Sequence, residues 1–66
     1  MTQTANIMLK DIDVDVGYHL FDGEIRIDSI MEVDTGKRYS ISELSHILYK
    51  EAVDKIILTR KNNSIN

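Results

Sequence analysis

Asp11, Asp13 and Asp15 stand at every second position of one stretch, and their carboxylates are the first candidates for chemistry in this sequence. In a loop, such a run with Asp22 at the twelfth place could ligate calcium. A calcium loop needs glycine at its sixth place for a sharp turn, however, and Val16 stands there. Ile12, Val14 and Val16 interleave the acids, which favours a strand whose alternate side chains share one face about 6.6 Å apart. A row of that kind is either a solvated strand face or an imitation of the regular negative charge of a nucleic-acid backbone. In the second case it would attract proteins that bind DNA through positive potential. No metal and no other cofactor is expected.

The remaining reactive side chains do not assemble into a catalytic signature. Ser45 and His46 are neighbours, and on a helix they point apart, so they cannot act as nucleophile and base. No glycine-rich phosphate loop is present. Lys37, Arg38, Lys55, Arg60 and Lys61 could contact nucleic acid, but they are scattered, without an aromatic stacking platform, through a chain of net charge −3. The charge is uneven, −6 over residues 1–34 and +3 over residues 35–66, a bias that can mark a partner-facing surface. A binding protein rather than an enzyme is the expectation.

The elements that must carry these residues follow from periodicity. Apolar residues at Ile12, Val14, Val16, Tyr18 and Leu20 predict a strand buried on one face. Asp22-Gly23 predicts a two-residue hairpin loop. Pairing Phe21 with Glu24 then sets Ile25, Ile27, Ser29, Met31 and Val33 beside those apolar residues. The opposite face gathers Asp11, Asp13 and Asp15 with Asp28, Glu32 and Asp34. In that register Asp13 opposes Glu32, a like-charge conflict that a bulge or a frayed end would relieve.

Asp34-Thr35-Gly36 predicts a second turn and Lys37 to Ile41 a short third strand. Ser40-Ile41-Ser42-Glu43 has the form of a capping box, with Tyr39 and Leu44 as its hydrophobic staple. The helix it opens is expected to run to about Val53 and to bury Ile41, Leu44, Leu48 and Ala52, with Ile47 at the edge. Tyr49 falls off this stripe, suited either to a half-buried core position or to an aromatic wall at an interface. Lys55–Arg60 is short and β-branched; a fourth strand is expected, with a longer helix as the alternative.

The chain is therefore expected to be one α+β domain over residues 1–66, with residues 1–6 and 62–66 loose at its ends. A three-stranded antiparallel meander precedes one helix and a short C-terminal strand. Sixty-six residues build a marginal core. Without cysteine for disulfides, pairing into a homodimer is the expected remedy. No apolar run reaches the ~20 residues of a membrane span, and a soluble, cytoplasmic protein is expected.

Asp34-Thr35-Gly36-Lys37-Arg38-Tyr39, then Leu48-Tyr49, then Val53-Asp54-Lys55-Ile56-Ile57-Leu58-Thr59-Arg60, resembles the small uracil-DNA glycosylase inhibitors of Bacillus phages over roughly residues 27–61. That family has an acidic turn followed by Gly-Lys-x-Tyr, a helix ending near Leu-Tyr, and an Ala-Asp-x-Ile-Ile-x-x-Arg segment. The resemblance implies a homodimeric DNA mimic in the cytoplasm of the host cell. Its acidic edges stand in for phosphates, and an apolar pocket on the dimer captures the side chain that a base-flipping enzyme pushes into DNA. Tyr49 matches the family's pocket tyrosine, while Ser45 stands where the family has a phenylalanine.

The candidate partner-binding set is thus Tyr49, Leu48, Ser45 and His46 on the helix, with Asp34, Glu32, Asp13 and Asp15 on the acidic surface. Its expected partner is uracil-DNA glycosylase or another DNA-binding enzyme, with no direct nucleic acid and no membrane. The alternative is a small nucleic-acid-binding regulator using Lys37, Arg38, Arg60 and Lys61.

Overall fold

A four-stranded antiparallel sheet with one helix laid across a single face makes the protein α+β, two layers thick. The computed structural model describes residues 2–63. Strands β1 (Gln3–Leu9), β2 (Ile12–Phe21), β3 (Glu24–Glu32) and β4 (Arg38–Tyr39) lie in sequence order, each antiparallel to the next. A single 3₁₀ turn (Ile41–Glu43) precedes the helix α1 (His46–Asn63).

Both long hairpins close through two residues at positive φ, Lys10-Asp11 (49° and 65°) and Asp22-Gly23 (54° and 80°). This is the backbone of a type I′ turn, whose twist matches that of the strands it joins. The second loop is the one expected, with Phe21 paired to Glu24. The first contains no glycine, and it brings in a strand where loose residues were expected. Residues 3–6 belong to β1, which pairs with β2 from Gln3↔Tyr18 to Leu9↔Ile12 and buries Ala5, Ile7 and Leu9.

A bulge re-aims half of β3. Leu20↔Ile25 and Tyr18↔Ile27 follow the expected register, but beyond Tyr18 the pairs become Gly17↔Ser29, Val16↔Ile30 and Val14↔Glu32. Asp28 is the extra residue, and each residue after it changes face. The core therefore receives Ile30 rather than Met31, and Ile30 is 2 % exposed. The opposition of Asp13 to Glu32 does not form; instead the Val33 N–H donates to the Asp13 carbonyl at 3.0 Å. Ile27 and Ile30 stand three apart, a spacing that strict alternation cannot bury on one face and one bulge can.

The helix begins later and ends later than expected. The Ser40 hydroxyl bonds Ser42 Oγ at 2.8 Å, so the capping box does not form and only one 3₁₀ turn follows. Leu44 returns to extended backbone (ψ 135°), and Ser45 becomes the cap of α1, its Oγ accepting the Leu48 N–H at 3.1 Å. This break lets Ile41 and Leu44 pack on the core from one direction and the helix from another.

Residues 55–60 are helical, which removes the expected C-terminal strand. Ala52 and Ile56 are fully buried while Ile57 and Leu58 are exposed, a 3.6-residue pattern rather than alternation. The backbone of residues 62 and 63 continues this helix, against the expected loose tail; residues 64–66 lie outside the described residues. No helix among the described residues is long and apolar enough to cross a membrane.

Candidate functional site

With α1 covering one face of the sheet, the other face meets solvent and carries the acidic row. Asp13 and Asp15 project from β2 with Asn6 of β1 beside them. The Asn6 amide donates to Asp13 Oδ1 at 2.5 Å, to Asp15 Oδ1 at 3.1 Å and to the Val14 carbonyl at 3.2 Å. One neutral side chain thus holds two like charges at strand spacing. Asn6 escaped the sequence reading because its strand did; its place between Ala5 and Ile7, both facing the core, is the signal that could have found it. Further along this face, His19 Nδ1 lies 2.9 Å from Asp28, and the Arg26 guanidinium stacks over the Phe21 ring at 5.2 Å.

Glu32 leaves the acidic row altogether. The bulge turns it toward the helix side, where the Tyr39 hydroxyl donates to one carboxylate oxygen and Thr35 Oγ1 to the other at 2.9 Å. Backbone bonds from Gly36 N–H to the Glu32 carbonyl (2.9 Å) and from Glu32 N–H to the Lys37 carbonyl (2.8 Å) close the turn beneath it. Gly36 sits at φ 75°, the left-handed position expected for it. Asp34 is exposed on this turn. Glu32 is thus an organiser of the turn before β4, a role that needs no partner.

The Tyr39 hydrogen bond, then the Thr35 one, holds the Glu32 carboxyl below the ordinary carboxylate range, over the opposing effect of desolvation. The same contact raises the Tyr39 phenol above its ordinary range. A lowered carboxyl pKa stabilises the fold above the unfolded-chain value, and that contribution is lost as pH falls through the folded value. A raised phenol pKa stabilises below the unfolded-chain value and is lost as pH rises through the folded one. In side-chain NMR titrations, Glu32 is expected to titrate low in the natural protein and to move back toward the ordinary range in Tyr39→Phe. An unchanged Glu32 titration would remove this pairing.

The helical candidates divide between two clefts on opposite flanks of α1. Tyr49, Val53 and Ile57 face Leu20 and Ile25 of the β2–β3 hairpin across a cleft of about 750 Å³. His46, Lys50, Arg60 and Lys61 stand around it with Glu24. Leu48 lines a smaller cleft of about 160 Å³ with Leu9, Ile12, Ile30 and Leu44, where Glu32 also reaches. Ser45 belongs to the helix cap. The structure therefore joins Tyr49 with His46, Leu48 with Glu32 and Asp13 with Asp15; Ser45 touches Leu48 and Tyr49 only through the hydrogen bonds of the helix start and lines neither cleft, and Asp34 lines neither cleft.

Tyr49 is half-buried and its hydroxyl accepts the Ile27 N–H at 3.2 Å. Ile27 lies where β3 has no outer neighbour, since β4 pairs only with Ile30 and Met31. The ring is thus both a wall of the larger cleft and a cover for an open strand edge. Arg60 bridges Gln3 Oε1 at 3.1 Å and Tyr18 Oη at 3.2 Å, clamping the C-terminal half of the helix to β1 and β2.

Lys37 precedes β4 and Arg38 opens it, paired to Met31, whereas Arg60 contacts Gln3 and Tyr18, so the basic set of the nucleic-acid alternative is split. Among the described residues, no group of three or more His, Cys, Asp or Glu side chains is gathered as metal ligands would be. The fold and surface define a two-layer α+β protein with an open, acid-bearing sheet face. No family model, no curated protein and no solved structure matches the chain.

Proposed function

We propose that this protein is a non-catalytic inhibitor that occupies the DNA-binding groove of a DNA-processing enzyme in the cytoplasm, uracil-DNA glycosylase being the first target to test. One observation carries the reading: Asp13 and Asp15 are held side by side by Asn6 on the uncovered face of β2, at a spacing suited to replace phosphates. The contact rests on the sheet face rather than on the Tyr49 cleft, because Lys50, Arg60 and Lys61 around that cleft would meet a cationic groove unfavourably.

In a uracil-excision assay, the protein at low micromolar concentration is expected to suppress cleavage. The double substitution Asp13→Lys, Asp15→Lys is expected to abolish suppression without unfolding, since both residues face solvent. Undiminished cleavage across bacterial glycosylases would sink this target, and full potency of the double variant would sink mimicry by this face.

The clustering of Lys50, Arg60 and Lys61 near Tyr49 favours a second reading, a small nucleic-acid-binding regulator acting through that flank rather than through Lys37 and Arg38. Its signature is a gel shift that weakens steeply with salt. No shift at low salt removes it.

A further inference from the structure

We propose that two copies of this chain associate through the open edge of β1, joining their sheets into one eight-stranded sheet about a twofold axis at Asn6. β1 is an edge strand of seven residues without charge or proline, and β2 pairs with it on one side only. Edges of this kind are usually blunted because they template pairing with another chain.

The two-residue loop makes Leu9↔Ile12 a hydrogen-bonded pair, so Ile7, Ala5 and Gln3 also bond β2 while Thr4, Asn6 and Met8 aim their backbone groups outward. Two contacts fit this phase. Lys55 Nζ reaches the Met8 carbonyl from the edge side, and the Asp13 carbonyl, opposite Met8, is turned toward Val33. Thr4, Asn6 and Met8 are symmetric about Asn6. Antiparallel pairing of two copies there sets Asn6 against Asn6 and Thr4 against Met8, with every outward N–H facing a carbonyl. The Met8 carbonyl retains a second lone pair beside Lys55.

The helix supplies an independent argument for a second copy as the occupant. Glu51 and Lys55 form an i,i+4 pair at 3.7 Å on the flank of α1 that overhangs β1. Ile47 and Leu58 share that flank, 76 % and 59 % exposed. Arg60 contacts Gln3 and Leu48 shares a cleft with Leu9, so residues near 53 lie level with Asn6. The twofold axis that pairs β1 with β1 therefore brings the helices past one another about the same level. Glu51 of each copy then meets Lys55 of the other, and Ile47 meets Leu58. Charge and apolar positions are self-complementary, as an isologous interface requires.

This interface stands apart from the inhibitor reading, because association is measured on the protein alone. Sedimentation equilibrium is expected to give twice the 7.6 kDa chain mass, dissociating on dilution. Thr4→Pro removes an outward N–H and no bond to β2, so circular dichroism is expected to be unchanged while association weakens about tenfold or more. Glu51→Lys and Lys55→Glu are each expected to weaken self-association at low salt. Their equimolar mixture is expected to form heterodimers, and the double swap to restore the natural affinity. A monomer at every concentration overturns the proposal, and so does a dimer indifferent to Thr4→Pro and to both charge variants.

Discussion

Replacing Ile56 by alanine is expected to remove a large share of the protein's stability at 25 °C. Ile56 is fully buried, packed with Val16 and Ala52 in the layer between sheet and helix. Removing a buried isoleucine side chain to its Cβ costs about 2–5 kcal/mol, the higher figure applying where the surroundings cannot collapse into the space. A chain of this length has a total stability of about 3–10 kcal/mol at the usual ~0.05–0.15 kcal/mol per residue. The loss is therefore a substantial share of the whole. Urea unfolding followed by far-ultraviolet circular dichroism measures it.

Leu58→Ala is the informative partner to this experiment. A C-terminal strand would put Leu58 on the same face as Ile56, whereas α1 leaves it 59 % exposed. An exposed truncation of this kind changes stability by only about 0.5 kcal/mol. Equal and large losses at both positions would argue for the strand and against the helix.

Tyr49 is expected to give the second-largest effect, and its two substitutions separate two roles. Tyr49→Phe keeps the ring and removes the acceptor of the Ile27 N–H. Losing a neutral hydrogen bond costs about 0.5–1.5 kcal/mol, rising where the donor stays dry. Exchange of the Ile27 amide is expected to accelerate locally. Tyr49→Ala also removes the wall between the helix and the β2–β3 hairpin. Because the residue is half-buried, its cost is expected near the lower end of the ~3–5 kcal/mol typical of aromatic truncations. An interaction through the larger cleft would survive Tyr49→Phe and fail in Tyr49→Ala. If Tyr49→Phe changes neither stability nor Ile27 exchange, the hydrogen bond contributes nothing and the tyrosine acts through its ring alone.

The acidic surface shows how far composition and spacing reach. The alternation that placed Asp13 and Asp15 on one face held, because Val14 and Val16 are buried and strand geometry then leaves no other direction for their neighbours. The same reasoning assigned Glu32 to that face and failed, because one bulge at Asp28 changes the phase of everything after it. Periodicity cannot reveal a bulge whose cause is the need to bury two isoleucines three residues apart. Tyr49 was legible as a residue off the helical stripe. Its tie to Ile27, and its separation from Leu48 by the body of the helix, depend on how the helix lies across the sheet.

Local chemistry by itself determined the Asp22-Gly23 hairpin, the Asp34–Gly36 turn and the α+β order of meander followed by helix. Each rests on short-range sterics or on the period of the apolar residues, and the residues concerned lie within a few positions of one another. Tertiary structure decided the rest. β1 closes through a glycine-free Lys10-Asp11 turn, tolerated because seven paired residues and a buried Ala5-Ile7-Leu9 row offset its positive φ angles. The helix starts at Ser45 rather than Ser40 and absorbs residues 55–60, because Ala52 and Ile56 together fill the layer above Val16. In each case burial against residues distant in sequence selected between two local solutions.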